Sequence, residues 1–151
     1  MVNFFIDISK NKVVGIVVLA WAVAQILKVI IALIEEKRID FTRLVGSGGM
    51  PSSHSSFVTS LATAVGRIKG FESVDFAITA VLALVVMYDA AGVRRSAGEQ
   101  AKILNKIAEY LDNPTDDEQF MEKKLKELVG HSPFEVFMGA LLGIAIAVLF
   151  T

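Results

Sequence analysis

Seven consecutive positions, Gly48-Gly49-Met50-Pro51-Ser52-Ser53-His54, combine residue types that suit the handling of an anion. Glycine lets the backbone turn tightly and approach a ligand closely, and proline presets a first helical turn. Free N–H groups at a helix start bind anions such as phosphate. Ser52 and Ser53 add hydroxyl donors, and His54 can supply a proton. An ordinary capped helix start accounts for the proline and serines but not for the histidine. The second histidine, His131, stands four residues before Glu135, so the two share a helical face. A carboxylate that accepts from one imidazole nitrogen fixes the tautomer and makes the other nitrogen the better nucleophile. The plain alternative is a capping histidine beside a carboxylate that reaches for water.

Four more charged residues belong to the same question. Lys28 falls inside a long apolar run. An ammonium there costs ~2.5–3.5 kcal/mol on insertion scales, so it calls for a partner or a watery cavity, unless its stem carries the charge to the interface. Asp89 lies near the end of another apolar run and is a partner for Lys28 or for an arginine. Arg94 and Arg95 follow at the end of that run. Guanidinium groups suit multidentate phosphate contact, and basic interfacial anchors are the common alternative.

The elements that position these residues are helices long enough to cross a bilayer. Apolar residues make up 54% of the 151 positions, against about 45–50% in ordinary soluble domains, and they come in blocks. The run 13–34 has Gln25 and Lys28 as its only strongly polar residues, and a helix of that length spans about 33 Å, enough for the hydrocarbon core. Residues 76–92 and 133–150 are further spans. Residues 55–65 are short and rich in Ser, Thr and Ala, so protein rather than lipid is expected around them. A soluble bundle is the alternative, but long apolar blocks without a polar face are hard to solvate in a monomer. The expected fold is therefore all-α: a polytopic membrane bundle of about four helices, in one domain over 1–151. The helices are placed at 13–36, 52–66, 73–93 and 133–150. Residues 1–12 are an amphipathic lead. Residues 94–130 form a soluble helical insert, with Ile103, Leu104, Ile107 and Leu111 at helical spacing in its first part. Asp112-Asn113-Pro114 breaks that part, and 116–129 reads as a second, solvated helix. The apolar run starts only at Val13 with no small-residue cleavage site ahead of a mature domain, so the first helix is expected to be retained rather than cleaved as a signal peptide.

Alternation of four spans puts the end of the first helix, the start of the second, the end of the third and the start of the fourth on one membrane face. That face gathers Lys37, Arg38, the glycine-rich loop, both histidines, Arg94, Arg95 and Glu135. The other face has Lys10, Lys12, Arg67 and Lys69 and no histidine. With Arg43 added, the basic residues lean towards a cytoplasmic histidine-bearing face. The formal net charge is -1, which gives no global basic character for nucleic acid. With no cysteine, disulfides, thiol nucleophiles and thiolate metal sites are excluded.

Taken together, these strings resemble the type 2 phosphatidic acid phosphatases, relatives of bacterial acid phosphatases and vanadium haloperoxidases. Pro51-Ser52-Ser53-His54 is similar to that family's Pro-Ser-Gly-His, and His131-Ser-Pro-Phe-Glu135-Val-Phe-Met-Gly139 to its final His-x-Pro-x-Asp-Val-x-x-Gly helix. The closest resemblance is to a divergent branch whose small bacterial members carry Gly-Gly-Met-Pro-Ser-Ser-His and Val-Arg-Arg-x-Ala-Gly-Glu-Gln. Both strings occur here, at 48–54 and 93–100. There are departures. Ser53 stands for glycine and Glu135 for aspartate. Leu125 occupies the position six residues before His131 where the family has arginine, so Arg94 or Arg95 would have to fill that role. Lys28 with Lys37 or Arg38 keeps the first element only loosely. The family core has six membrane helices, and the four expected here look like its catalytic last four.

The resemblance implies metal-independent, cofactor-free hydrolysis of a lipid phosphate in a bacterial cytoplasmic membrane. His131 would be the nucleophile, Glu135 its orienting partner and His54 the proton donor. Lys28, Arg38, Ser52, Ser53, and Arg94 or Arg95 would hold the phosphoryl oxygens. Dimerisation would supply the cover of the missing helices, and Gly139-x-x-x-Gly143 offers a close-packing face for that or for internal packing. The displaced arginine motivates a second reading, a membrane protein that binds a lipid phosphate or another anion without turning it over. A vanadate-dependent peroxidase fits a lipid-embedded site poorly.

Overall fold

The computed structural model describes residues 2–36, 49–111 and 130–151. Expectations for Lys37, Arg38, Arg43, residues 45–48, the break at Asp112-Asn113-Pro114 and the insert's second helix fall outside these residues. Six helices follow one another: α1 Val2–Lys10, α2 Lys12–Glu36, α3 Ser53–Lys69, α4 Val74–Ala91, α5 Val93–Leu111 and α6 Pro133–Phe150. Three runs are long and apolar enough to cross a membrane: Lys12–Ile34, Pro133–Phe150, and a run from Val74 that continues into α5. Together with α3 between them they make a polytopic membrane bundle.

Their packing is inverted relative to a water-soluble bundle. Large side chains point outward: Trp21 and Ile26 on α2, Leu84 and Val85 on α4, Phe137 and Leu149 on α6. The interior is small and hydroxylated: Ala20, Ala24, Ala64, Ala147, Ser55, Ser56 and Ser60. This distribution suits lipid, where an exposed leucine costs nothing and close helix approach must come from small residues.

The centre of the bundle is α3, packed by α6, α4 and α2. That answers the expectation from its composition that protein rather than lipid surrounds it. Its hydroxyls bond across to neighbours: Ser56 Oγ donates to the Ala20 carbonyl at 3.1 Å, and Thr59 Oγ1 to the Ala140 carbonyl at 3.1 Å. Each such bond contributes about 0.6 kcal/mol in a membrane interior. Gly139 and Gly143 lie directly against α3. A Cβ at Gly139 would run into the Ser52 carbonyl oxygen, and one at Gly143 into the Ser56 carbonyl and the Thr59 hydroxyl. The Gly139–Gly143 face therefore serves internal packing and is closed to a second copy of the chain.

Helix ends differ from expectation in three places, each with a local cause. α3 begins at Ser53 with Ser52 as N-cap, so Pro51 precedes the helix instead of opening its first turn; the Met50–Pro51 peptide is cis. The same helix runs past Gly66 to Lys69. Gly66 is a packing position against the rings of Phe71 and Phe76, and the terminator is Gly70, with φ +95 and its N–H on the Gly66 carbonyl at 2.9 Å. Finally, α4 stops at Ala91, and Gly92 alone joins it to α5. Arg94 and Arg95 thus open α5 rather than close α4, and the insert's first helix begins six residues before the expected Glu99. At the other face, the Asn11 side chain accepts from the amides of Val13 and Val14 at 3.0 and 3.3 Å, which separates the lead helix α1 from α2.

Candidate active site

Three backbone contacts gather the chemistry at one end of the bundle. The Ser52 amide donates to the Glu135 carbonyl at 3.0 Å, which ties the start of α3 to the first turn of α6. The His131 amide donates to the Ala90 carbonyl at 3.0 Å, which ties the approach to α6 to the end of α4. Between them Gly130, with φ +100, lies flat against the backbone of Arg94 and Arg95; a Cβ there would collide with the Arg95 amide nitrogen. The ends predicted by alternation to share a face do so.

His131 is 2% exposed. Its Nδ1 lies 3.2 Å from Glu135 Oε2, and the same oxygen accepts the Ser132 amide at 2.9 Å. Ser132 returns the contact, its Oγ accepting the Glu135 amide at 3.3 Å, so the pair forms a capping box. Glu135 is thus fixed by the helix start it caps and cannot swing away from the imidazole. An ionised carboxylate only accepts. The bond therefore puts the His131 proton on Nδ1 and leaves Nε2 its lone pair. That Nε2 is buried without a hydrogen-bond partner. The His54 ring, in the first turn of α3, lies beside it edge to face, with ring centroids 5.9 Å apart and planes at 64°. His54 Nδ1 is likewise buried and unpartnered. Two imidazoles with unused buried nitrogens are costly in a packed protein, and a ligand between them would offset that cost.

Lys28 is 2% exposed. Its stem passes beneath the glycine turn, so that a Cβ at Gly49 would stand 3.3 Å from Lys28 Cγ. Gly49 has φ +87, a conformation that glycine adopts freely. The ammonium is thus held inside the bundle next to the loop that enters α3, and does not snorkel to water along the helix exterior.

The hydroxyls divide. Ser52 Oγ accepts both the Ser55 amide at 3.3 Å and the Ser55 hydroxyl at 3.1 Å, which caps α3, and its own amide is given to Glu135, which joins α3 to α6. Ser53 and His54 are the first two residues of α3, where no carbonyl of the preceding turn meets the amides. Asp89 pairs with an arginine: Arg94 Nε donates to Asp89 Oδ2 at 2.6 Å. Arg95 Nε turns away to Glu99 Oε1 at 3.2 Å, on an exposed stretch of α5. Arg94 is therefore held beside Ala90, whose carbonyl anchors His131, and Arg95 is engaged one turn along α5. Arg38 lies outside the described residues.

The sequence model of the divergent PAP2 family matches residues 9–146, from the start of the bundle to near the end of α6. The chain belongs to that family. An uncharacterized membrane protein, YuiD of Bacillus subtilis (strain 168), is 46% identical over 129 residues, covering 80% of this chain and 82% of the relative. No solved structure matches the chain. Membership and the spans make the protein an integral membrane protein, related to phosphatases. In this member of the divergent PAP2 family, residues beyond the sequence motifs also shape the site. Ser132 was legible, since Ser-x-x-Glu before an apolar run is a capping-box signature. Gly130 offered a weaker sign, a glycine next to a histidine. Ala90 gave none, because it contributes only a carbonyl.

Proposed function

We propose that this protein is a membrane lipid-phosphate phosphatase that hydrolyses a phosphomonoester through a phosphohistidine. The observation that carries the reading is the buried His131, with Nδ1 on Glu135 and a lone pair left on Nε2 beside His54. Nε2 attacks phosphorus, and the bond to the ester oxygen breaks as the N–P bond forms. The His54 imidazolium gives its proton to the departing oxygen. Water then attacks the phosphohistidine, His54 takes a proton from it, the N–P bond breaks and inorganic phosphate leaves. Glu135 supports the positive charge that develops on His131 in the first step.

The phosphoryl oxygens are held by the Lys28 ammonium, the amides of Ser53 and His54, Arg94 and Arg38. Ser52 acts by fixing the start of α3, and Arg95 by completing the basic rim. Such preorganised donors are usually the largest catalytic contribution. No cofactor takes part. The substrate is a phosphate monoester anchored in the bilayer, of the chemistry of phosphatidate, phosphatidylglycerophosphate or an isoprenyl phosphate, and the site opens towards the cytoplasm. If two copies associate, they meet through faces other than Gly139–Gly143.

Phosphate release from those three substrates in mixed micelles, with and without vanadate, tests the proposal. Vanadate-sensitive release supports it. Tight binding of the lipid phosphate with no release over a long incubation would replace it with the binding-protein reading, which the engagement of Arg94 by Asp89 favours.

Three substitutions report on the phosphate grip. Lys28→Met keeps the stem and removes the charge. It should cut kcat/KM by about 10- to 100-fold, the worth of a charge-assisted hydrogen bond. An unchanged kcat/KM would remove Lys28 from the site. Arg94→Gln should cost a similar factor, whereas Arg95→Gln should stay within roughly threefold, as expected for an exposed ion pair. The reverse ranking would assign the phosphate role to Arg95.

A further inference from the structure

The sequence of α5 divides it into three stripes, and only one of them lacks a partner that a bundle or water can provide. Positions 94, 98, 101 and 105 follow helical spacing; Gly98, Ala101 and Asn105 there are buried. Positions 95, 99, 102 and 106 make a charged stripe of three cations, Arg95, Lys102 and Lys106, against one carboxylate, Glu99. The third stripe, 93, 97, 100, 104 and 107, with Ile103 on its flank, is mainly apolar and open. Val93 is 62% exposed, Ile103 59%, Leu104 53% and Ile107 48%. Among the described elements, α5 touches only α4.

Water is a poor partner for four large apolar side chains in a row. Leaving them exposed forfeits the gain of taking that apolar surface out of water. The bilayer is at hand, because the single residue Gly92 separates the stripe from α4, whose outward side chains Leu84, Val85 and Tyr88 are exposed in the same manner. The corner between the two helices holds a cavity of about 440 Å³ lined by Tyr88, Gly92, Val93, Ser96, Ala97 and Gln100. None of these residues belongs to the candidate active site, so this cavity is separate from it.

From this arrangement we infer that α5 lies along the surface of the bilayer that α4 crosses. Its apolar stripe is sunk at the boundary between headgroups and acyl chains, and Arg95, Lys102 and Lys106 sit at the level of the lipid phosphates. A helix with one broad apolar face and cations on another has the make-up of an interfacial anchor, and the cations complement the phosphate layer. An acyl segment of the bilayer fills the α4–α5 corner. The partner is lipid in bulk, not the reacting substrate, so the inference does not depend on the hydrolase reading.

The chain has no cysteine, so single labelling sites can be introduced cleanly. Leu104→Cys and Lys102→Cys, each carrying an environment-sensitive fluorophore, would be measured in the full-length protein reconstituted into phosphatidylcholine–phosphatidylglycerol vesicles. The label at 104 should show blue-shifted emission and severalfold stronger quenching by lipids brominated near the headgroup than the label at 102. Aqueous iodide should quench them in the opposite order. Equal iodide quenching at the two positions would overturn the inference. So would shielding of 104 from iodide and brominated lipid alike, which would mean that protein, from this chain or a second copy, covers the stripe. Neither reading uses phosphate release, so failure of the hydrolase proposal leaves this test intact.

Discussion

Replacing His131 by alanine should lower phosphate release by a factor on the order of 10³ or more, the scale on which loss of a nucleophile that acts with its partners is felt. The imidazole supplies the atom that bonds to phosphorus, and the Glu135 carboxylate stands behind it. Folding needs its own control. The His131 amide contact with Ala90 is made by the backbone and survives the substitution, as does the capping box between Ser132 and Glu135. Thermal unfolding should therefore change little beside the activity. Wild-type protein quenched in base during turnover should retain acid-labile phosphate, and the alanine variant none. Release by the variant at the wild-type rate would sink the phosphohistidine. Glu135→Gln keeps the size of the side chain but loses the charge behind the imidazole, and should leave an intermediate rate.

Gly139→Leu should be the most damaging substitution outside the imidazole pair. The glycine lies against the backbone of Ser52, the residue that caps α3 immediately before Ser53 and His54. A side chain there meets main-chain atoms, which cannot rotate aside. Overpacking ordinarily costs about 1–3 kcal/mol, and a backbone obstacle belongs at the top of that range or above it. Even where the bundle survives, α3 and α6 must separate, and with them His54 and His131. A displacement of about 1 Å between reacting groups costs on the order of 10²-fold in rate. The expected result is a lowered unfolding temperature together with at least that loss of phosphate release. Gly15→Leu is the matched control, because a Cβ at Gly15 meets nothing within 4 Å. Equal stability and activity of the two variants would refute the close packing described for α3 and α6.

Much of this arrangement could be read from residue types. Apolar block length gave the spans, alternation put the histidines together, and the four-residue step from His131 to Glu135 gave their contact. The serine and threonine content of 55–65 correctly marked α3 as the shielded helix. What escaped the sequence was which of several available contacts each residue makes. Gly66 reads as a terminator, but two phenylalanine rings make it a packing site and move the helix end to Gly70. Arg94 and Arg95 read as one basic pair, yet Asp89 takes the first and Glu99 the second. Ser52 reads as a ligand-binding hydroxyl, yet that hydroxyl caps α3 and its amide joins α3 to α6. Residue types allow each of these contacts among several, and the bond from the Ser52 amide to Glu135 depends on which backbone stands opposite.

The hydroxyl-rich middle of α3 has a consequence for how the chain is made. Ser56 and Thr59 bond to carbonyls on α2 and α6, and the last of these helices is also the last to be synthesised. Until α6 emerges, the Thr59 hydroxyl lacks its Ala140 acceptor and the α6-facing flank of α3 stands bare. Topogenesis of this protein therefore cannot proceed strictly span by span: the third helix takes its final seat only when the sixth arrives to close over it, and the imidazole pair comes into being in that same late step.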